Sequence, residues 1–264
     1  MFVDAASPLT GSLLVHVQLD GPADAPPLVL LHSLGTQAAV WEPQAEALAA
    51  TTRVIRPDMR GHGLTEVTPG PYTIDGLAAD TLATLDALGI HSFHLAGISI
   101  GGLIAQAIAA RAPARIRALV LVDTALAIPP ADLWRARAAQ VREHGMPSIT
   151  DPVLARWLTP ARQTGPMASA LRSMLLRTAP EGYAGAAEAI AAADQTAATK
   201  QIRLPTHVVV GEGDQATPVA AAQAIADAIP GATLTIIKDA AHIPTIEQAD
   251  AVTAVLRLAL MPRT

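Results

Sequence analysis

A serine framed by glycines, Gly97-Ile98-Ser99-Ile100-Gly101, carries the clearest chemical signal in the chain. The apolar run Phe93-His94-Leu95-Ala96 before it reads as a strand, and the residues from Gly101 onward read as a helix. A G-x-S-x-G sequence in that context makes a sharp turn that exposes the serine hydroxyl at the top of a sheet. The central residue of such a turn is strained, at a cost of about 1–3 kcal/mol. Gly97 and Gly101 remove side chains that would collide across the turn, and Gly102 lets the following helix pack closely on the sheet. An ordinary glycine-rich turn is the plainer reading, and the strand and helix on either side count against it.

A serine hydroxyl is a weak nucleophile and needs a base, which in turn needs an orienting carboxylate. Around a turn of this kind the acid and then the histidine follow in chain order, each after a strand. Gly211-Glu212-Gly213-Asp214 follows the strand-like Thr206–Val210, and Lys238-Asp239-Ala240-Ala241-His242 follows Thr233–Ile237. The expected triad is therefore Ser99, Asp214 and His242. Asp214 is preferred to Glu212 because the turn presents it on the far side of its loop. Asp123, after Ala118–Val122 on the same edge of the sheet, competes for the role of acid. A tetrahedral oxyanion needs two backbone N–H donors. Ile100 is expected to supply one, and Leu34 in His32-Ser33-Leu34-Gly35-Thr36 the other, with Ser33 as runner-up. Asp58-Met59-Arg60-Gly61-His62-Gly63 reads as a structural turn in which Arg60 ties loops together and His62 is not a base. His91 and His94 have no acidic or histidine partner at ligand spacing, so no metal site is expected.

These residues need a scaffold, and the alternation of short and long segments supplies one. Strands are expected at Leu13–Gln18, Leu28–His32, Arg53–Pro57, Phe93–Ala96, Ala118–Val122, Thr206–Val210 and Thr233–Ile237. Helices are expected between them at Trp41–Ala50, Ile74–Leu88, Gly101–Arg111 and Val219–Ala228. The strand–helix alternation implies a mainly parallel central sheet with flanking helices. From about residue 126 to 200 only helical patterns occur: Ala131–Glu143, Pro152–Leu158, Met167–Thr178 and Gly182–Ala193. The organisation read from this is a core of residues 1–125 and 201–264 with a helical lid, 126–200, inserted between strands.

Composition removes several functional classes. Of the 264 residues, 51% are hydrophobic and 16% charged, which excludes a disordered chain. Aromatics are only 3%, which argues against a platform for stacking sugars or bases. The net charge of −5, without a basic run, argues against nucleic acid. The absence of cysteine rules out disulfides, thiol catalysis and cysteine-held metals. Met1–Leu19 lacks the pattern of a signal peptide, and no apolar stretch reaches the roughly 18–20 residues of a membrane helix. The expected location is cytoplasmic, away from membranes. None of these features bears on oligomeric state.

Taken together, H-x-x-G, D-x-R-G-H-G, G-x-S-x-G-G, G-x-x-D and the late A-x-H resemble the α/β-hydrolase superfamily. Finer strings narrow the resemblance: H-S-L-G-T with Trp41 downstream, G-P-Y-T at 70–73, L-D-A-L-G-I at 85–90, P-E-G-Y-A at 180–184 and A-A-H-I-P-T-I-E-Q-A-D at 240–250. These look like 3-oxoadipate enol-lactonases, which have asparagine where this chain has His32 and commonly leucine where it has Ile98 and Ile100. The resemblance implies an α/β-hydrolase fold with a helical lid, a Ser-His-Asp triad without cofactor, and a small-molecule lactone or carboxylic ester as substrate. Aspartate-nucleophile relatives are excluded by Ser99. Perhydrolase-type relatives usually have proline in the oxyanion loop, where this chain has Gly35, and the longer H-G-x-G-P-G loop of C–C bond hydrolases is absent. A carboxylate on the substrate would call for a cation, and the lid offers Arg135, Arg137, Arg142, Arg156, Arg172 and Arg177. Ser33, Trp134, Arg156 and Trp157 are the candidate substrate-binding residues, the two tryptophans being also natural fillers of the seam between lid and core. A general carboxylesterase is the alternative within this chemistry, and a binding receptor or pseudoenzyme is the alternative outside it.

Overall fold

Short runs rich in Val, Ile and Leu form one sheet whose order is β1-β2-β4-β3-β5-β6-β7-β8. The computed structural model describes residues 1–8 and 10–261; Leu9 and residues 262–264, inside the expected core segments, lie outside the described residues. The strands are β1 (Phe2–Ala5), β2 (Leu13–Asp20), β3 (Pro27–Leu31), β4 (Arg53–Pro57), β5 (Phe93–Ile98), β6 (Ile116–Val122), β7 (Thr206–Gly211) and β8 (Thr233–Ile237). β1 and β2 pair antiparallel at one edge, and every pair from β4 to β8 is parallel. Central β5 is buried along its whole length, as a strand covered on both faces must be.

The helices between strands are α1 (Glu42–Leu48), α2 (Ile74–Ala87) and α3 (Ile100–Arg111). Between β6 and β7 come α4 (Ala131–His144), α5 (Pro147–Trp157), α6 (Pro166–Arg177), α7 (Pro180–Ala192) and the single turn α8 (Thr196–Thr199). The chain ends with α9 (Val219–Ala228), α10 (Pro244–Glu247) and α11 (Ala249–Leu260). No helix among the described residues is long and apolar enough to cross a membrane.

Topology decides where chemistry can occur. β3 leads through α1 to β4 on one side of it, whereas β5 leads through α3 to β6 on the other side. With right-handed crossovers the two connections leave on opposite faces, and a crevice opens between them at the carboxyl ends of β3 and β5. The loop from His32 and the turn at Ser99 border that crevice.

Several expected boundaries move. β1 and α11 had no counterpart in the sequence reading, although Val252, Val255, Leu256 and Ala259 form the buried stripe of an amphipathic helix. The helix expected from Trp41 begins as a 3₁₀ turn at Ala38 and becomes α-helical at Glu42. The helix expected from Pro152 instead starts at Pro147 and runs through Pro152. A proline inside a helix cannot bond the carbonyl four residues back. Here that carbonyl, on Ser148, accepts a 3.0 Å hydrogen bond from the Gln140 side chain of α4. The neighbouring helix repairs the defect.

Candidate active site

The turn at Ser99 is built by steric exclusion. Ser99 sits at φ 58° and ψ −119°, a backbone state that residues with a Cβ rarely adopt. A Cβ on Gly97 would run into the Gly101 carbonyl, and one on Gly101 would lie 2.5 Å from the Leu31 oxygen. The turn is further tied by bonds from Ser99 N–H to Val122 O at 3.0 Å and from Thr124 Oγ1 to Ser99 O at 2.7 Å. Ile100 is the first residue of α3, and the first-turn amides of a helix have no intrahelical acceptor.

The loop after β3 is fixed by two histidines. Gly35 N–H donates to His62 Nε2 at 3.1 Å, and Met59 N–H donates to His32 Nε2 at 2.8 Å. Each ring uses its other nitrogen on a carbonyl, that of Arg60 for His62 and that of Ser33 for His32. Both rings must be neutral to accept these bonds. Burial, helped by the neighbouring His32, lowers His62 to about 3, against weaker opposing effects of the Arg60 carbonyl and Asp58. Burial likewise lowers His32, with Asp58 and the Ser33 carbonyl opposing. Gly35 and Thr36 thus spend their amides, the second on Ser33 O. Ser33 and Leu34 are the residues of this loop that line the cavity with Ser99. Gly35 itself, at φ +74°, has Leu175 and Tyr183 where its Cβ would be, so α6 and α7 rest directly on this loop.

On the opposite wall, His242 Nδ1 lies 2.8 Å from Asp214 Oδ2, and both residues are buried. Asp214 also accepts from Thr217 Oγ1 at 2.6 Å and from the amides of Ala216 and Thr217. Burial alone would raise Asp214, but His242 and these donors outweigh it and hold the carboxyl well below the usual range. Asp123 sits behind this pair at φ 41°, its Oδ1 accepting from Gly211 N–H at 2.9 Å. The His242 loop is anchored by Glu247, which accepts from Ala241 N–H at 2.7 Å and from both Thr159 N–H and Oγ1. One carboxylate therefore joins the histidine loop to the end of α5.

Ser99 and His242 line one cavity, together with Ser33, Leu34, Trp134, Arg156 and Trp157. Every sequence-expected contact residue is thus brought to one place, with Asp214 behind His242 and Ile100 behind Ser99. Arg137, Tyr183, Val153 and Ala216 complete the lining. The Arg137 guanidinium lies 4.9 Å from the Trp134 ring centre, a cation–π distance. Arg156 donates to Gln215 O at 3.0 Å. Three other arginines on these helices are paired elsewhere: Arg135 with Asp132, Arg142 with Glu181 and Glu188, and Arg172 with Asp151. Arg60 joins Ser7, Thr68 and Asp80 in a buried network. Among the described residues the one group that offers metal-ligand atoms at close range is Asp123, Asp214 and His242. Both oxygens of Asp214 and Nδ1 of His242 are already hydrogen-bonded there.

The sequence reading named Arg137 only among six candidate cations and His62 only as part of a structural turn, and it missed Thr217, Glu247 and Tyr183 as contributors. Only Thr217 carried a local signal: in Asp214-Gln215-Ala216-Thr217 an aspartate can accept the amides two and three residues on, an Asx-type turn.

Residues 26–249 match the α/β hydrolase fold family. The chain is 37% identical to 3-oxoadipate enol-lactonase 2 of Acinetobacter baylyi over 88% of its own length and 87% of that protein. The enol-lactonase of Burkholderia xenovorans superposes with a TM-score of 0.92 at 39% identity, covering 97% of this chain and 99% of that one. A thermophilic esterase from Thermogutta terrifontis superposes with a TM-score of 0.93 at 30% identity, covering 98% of each chain.

Proposed function

The chain belongs to the α/β hydrolase family, and from that premise we propose that it is a serine hydrolase that opens an enol-lactone through an acyl-enzyme. The observation that carries the reading is the His242–Asp214 pair at 2.8 Å, with His242 facing the same cavity as Ser99. His242 takes the Ser99 proton as Ser99 Oγ attacks the lactone carbonyl. The Leu34 and Ile100 amides hold the oxyanion, and Asp214 orients the ring and stabilises its cation. His242 then gives that proton to the lactone ring oxygen as the acyl C–O bond breaks, and because this oxygen stays tethered to the acyl group, opening the ring releases nothing. The Ser99 ester of the opened chain waits until His242 activates a water, and one water is consumed per ring opened. Residues 126–200 act as the lid over this step, and the packing of α6 and α7 on Gly35 supports that role.

Arg137 and Arg156 are the cations that would meet a substrate carboxylate, with Trp134, Trp157 and Ser33 shaping the apolar part of the cavity. The likeness to a solved esterase favours one other reading, a general carboxylesterase. A panel of enol-lactones, saturated lactones and simple esters separates the two. The enol-lactones are expected to exceed p-nitrophenyl acetate in kcat/KM by about a hundredfold or more. Equal values would transfer the chain to the carboxylesterases. Ser99→Ala should abolish turnover and labelling by a fluorophosphonate, and retained labelling would remove Ser99 from the mechanism. Arg137→Ala should raise KM for a carboxylate-bearing lactone about tenfold more than for a neutral ester, and equal effects would end the case for carboxylate recognition.

A further inference from the structure

Asp123 is a fully buried carboxyl for which hydrolysis by Ser99, His242 and Asp214 has no use. It ends β6 in a left-handed conformation at φ 41°, a state seldom taken by residues other than glycine, and this places its side chain beneath the acid–base pair. Atoms of Asp123, Asp214 and His242 lie within 4.8 Å of one another. Oδ1 of Asp123 accepts the Gly211 N–H, while no donor of the protein reaches its Oδ2. The carboxyl group beside it is Asp214, whose ligand oxygen lies no more than 4.8 Å away.

Two ionised carboxylates buried this close together repel, and an ionised Asp123 would leave Oδ2 charged with no donor beside it. We propose that Asp123 holds a proton at neutral pH and donates it to the Asp214 carboxylate, and so is a positioning residue for the acid that orients His242. The pair then carries one negative charge, and that charge lies on Asp214. This division is the one the surroundings favour. Asp214 receives donors from Ala216, Thr217 and His242, which all favour its ionised form, whereas Asp123 receives a single amide. Four titratable groups meet here: Asp123 at the end of β6, Asp214 after β7, His242 after β8 and Glu247 on α10. Burial pushes Asp123 well above the usual carboxylate range, and Asp214 and Glu247 push it the same way, against the Gly211 amide. Donation from Asp123 also takes up a lone pair on Asp214 and lowers its basicity, so His242 keeps its proton less tightly when it must return it to the leaving oxygen.

The role of Asp123 rests on Ser99, His242 and Asp214 being the reacting set, but its protonation can be tested without substrate. Infrared difference spectra of the wild type against Asp123→Asn at pH 7 should contain the C=O stretch of a protonated carboxylic acid, lost in the variant. Absence of that band overturns the proposal even if the hydrolase reading stands. With p-nitrophenyl acetate, Asp123→Ala should lower kcat/KM about tenfold or more, and Asp123→Asn, whose amide can donate to Asp214 and accept from Gly211, should recover most of that loss. An alanine variant equal to wild type, or no recovery by asparagine, overturns the positioning role. The acidic limb of the pH profile is the third readout, and asparagine should leave it within about 0.3 unit of the wild type. A fall by about a unit or more means that a negative charge beside His242 was removed, and Asp123 was ionised. If the alanine variant does not fold, the spectrum and the asparagine profile still decide the matter.

Discussion

On one side of the cavity position is set by backbone, and on the other by side chains. Ser99 is held at φ 58° because Gly97, Gly101 and the carbonyl of Leu31 leave no other path for the chain. His242 is held because Asp214 meets its ring, Thr217 and two amides meet Asp214, and Glu247 anchors its loop. The first arrangement contains no titratable group and is inseparable from the fold. The second is a chain of charges and hydrogen bonds, each removable singly and sensitive to protonation. Damage to the backbone side should therefore appear as lost stability, and damage to the side-chain side as lost chemistry.

The sharpest break of that contrast is Asp214→Ala. It should lower kcat/KM by about 10³–10⁴-fold while the thermal midpoint moves by only a few degrees. A variant that unfolds instead would make the acid a structural element and erase the distinction. Gly101→Val probes the other side, since its Cβ would sit 2.5 Å from Leu31 O and 2.7 Å from His32 O. Urea unfolding should register a loss of about 2–4 kcal/mol, and a variant as stable as the parent would contradict steric control of the turn.

His62 lies between the two regimes, a side chain that fixes a backbone loop. Replacing it with Phe removes the acceptor for Gly35 N–H and should cost about tenfold in kcat with little change in KM. The same variant tests the pH behaviour. A histidine at about 3 in the fold and 6.5 in the unfolded chain binds fewer protons folded than unfolded. Its contribution to stability is complete above about 6.5 and is lost as the pH falls toward about 3. Urea midpoints measured across that window should therefore fall less steeply on acidification in His62→Phe than in the wild type. Parallel curves would mean that His62 is charged in the fold.

The sequence by itself determined the order of elements and the residues with reactive groups. Glycine spacing around Ser99 reports a local steric requirement, and alternation of short apolar runs with helical segments reports a parallel sheet, so both are written in neighbouring residues. The same locality explains why the histidine after β8 was legible as a candidate base and why Pro152 misled, since its rescue comes from Gln140 on another helix. The tertiary structure alone decided which of two aspartates His242 meets, which arginines of α4 and α5 face the cavity, and that His62 props up the loop of Leu34. Each of those is a contact between segments 25 or more residues apart, fixed by strand order and helix packing rather than by any local pattern. Asp123 and Asp214 illustrate the limit well. Both end strands on the same edge of the sheet, and only the packing of β6 beside β7 turns two equivalent candidates into one partner for the histidine and one buried neighbour.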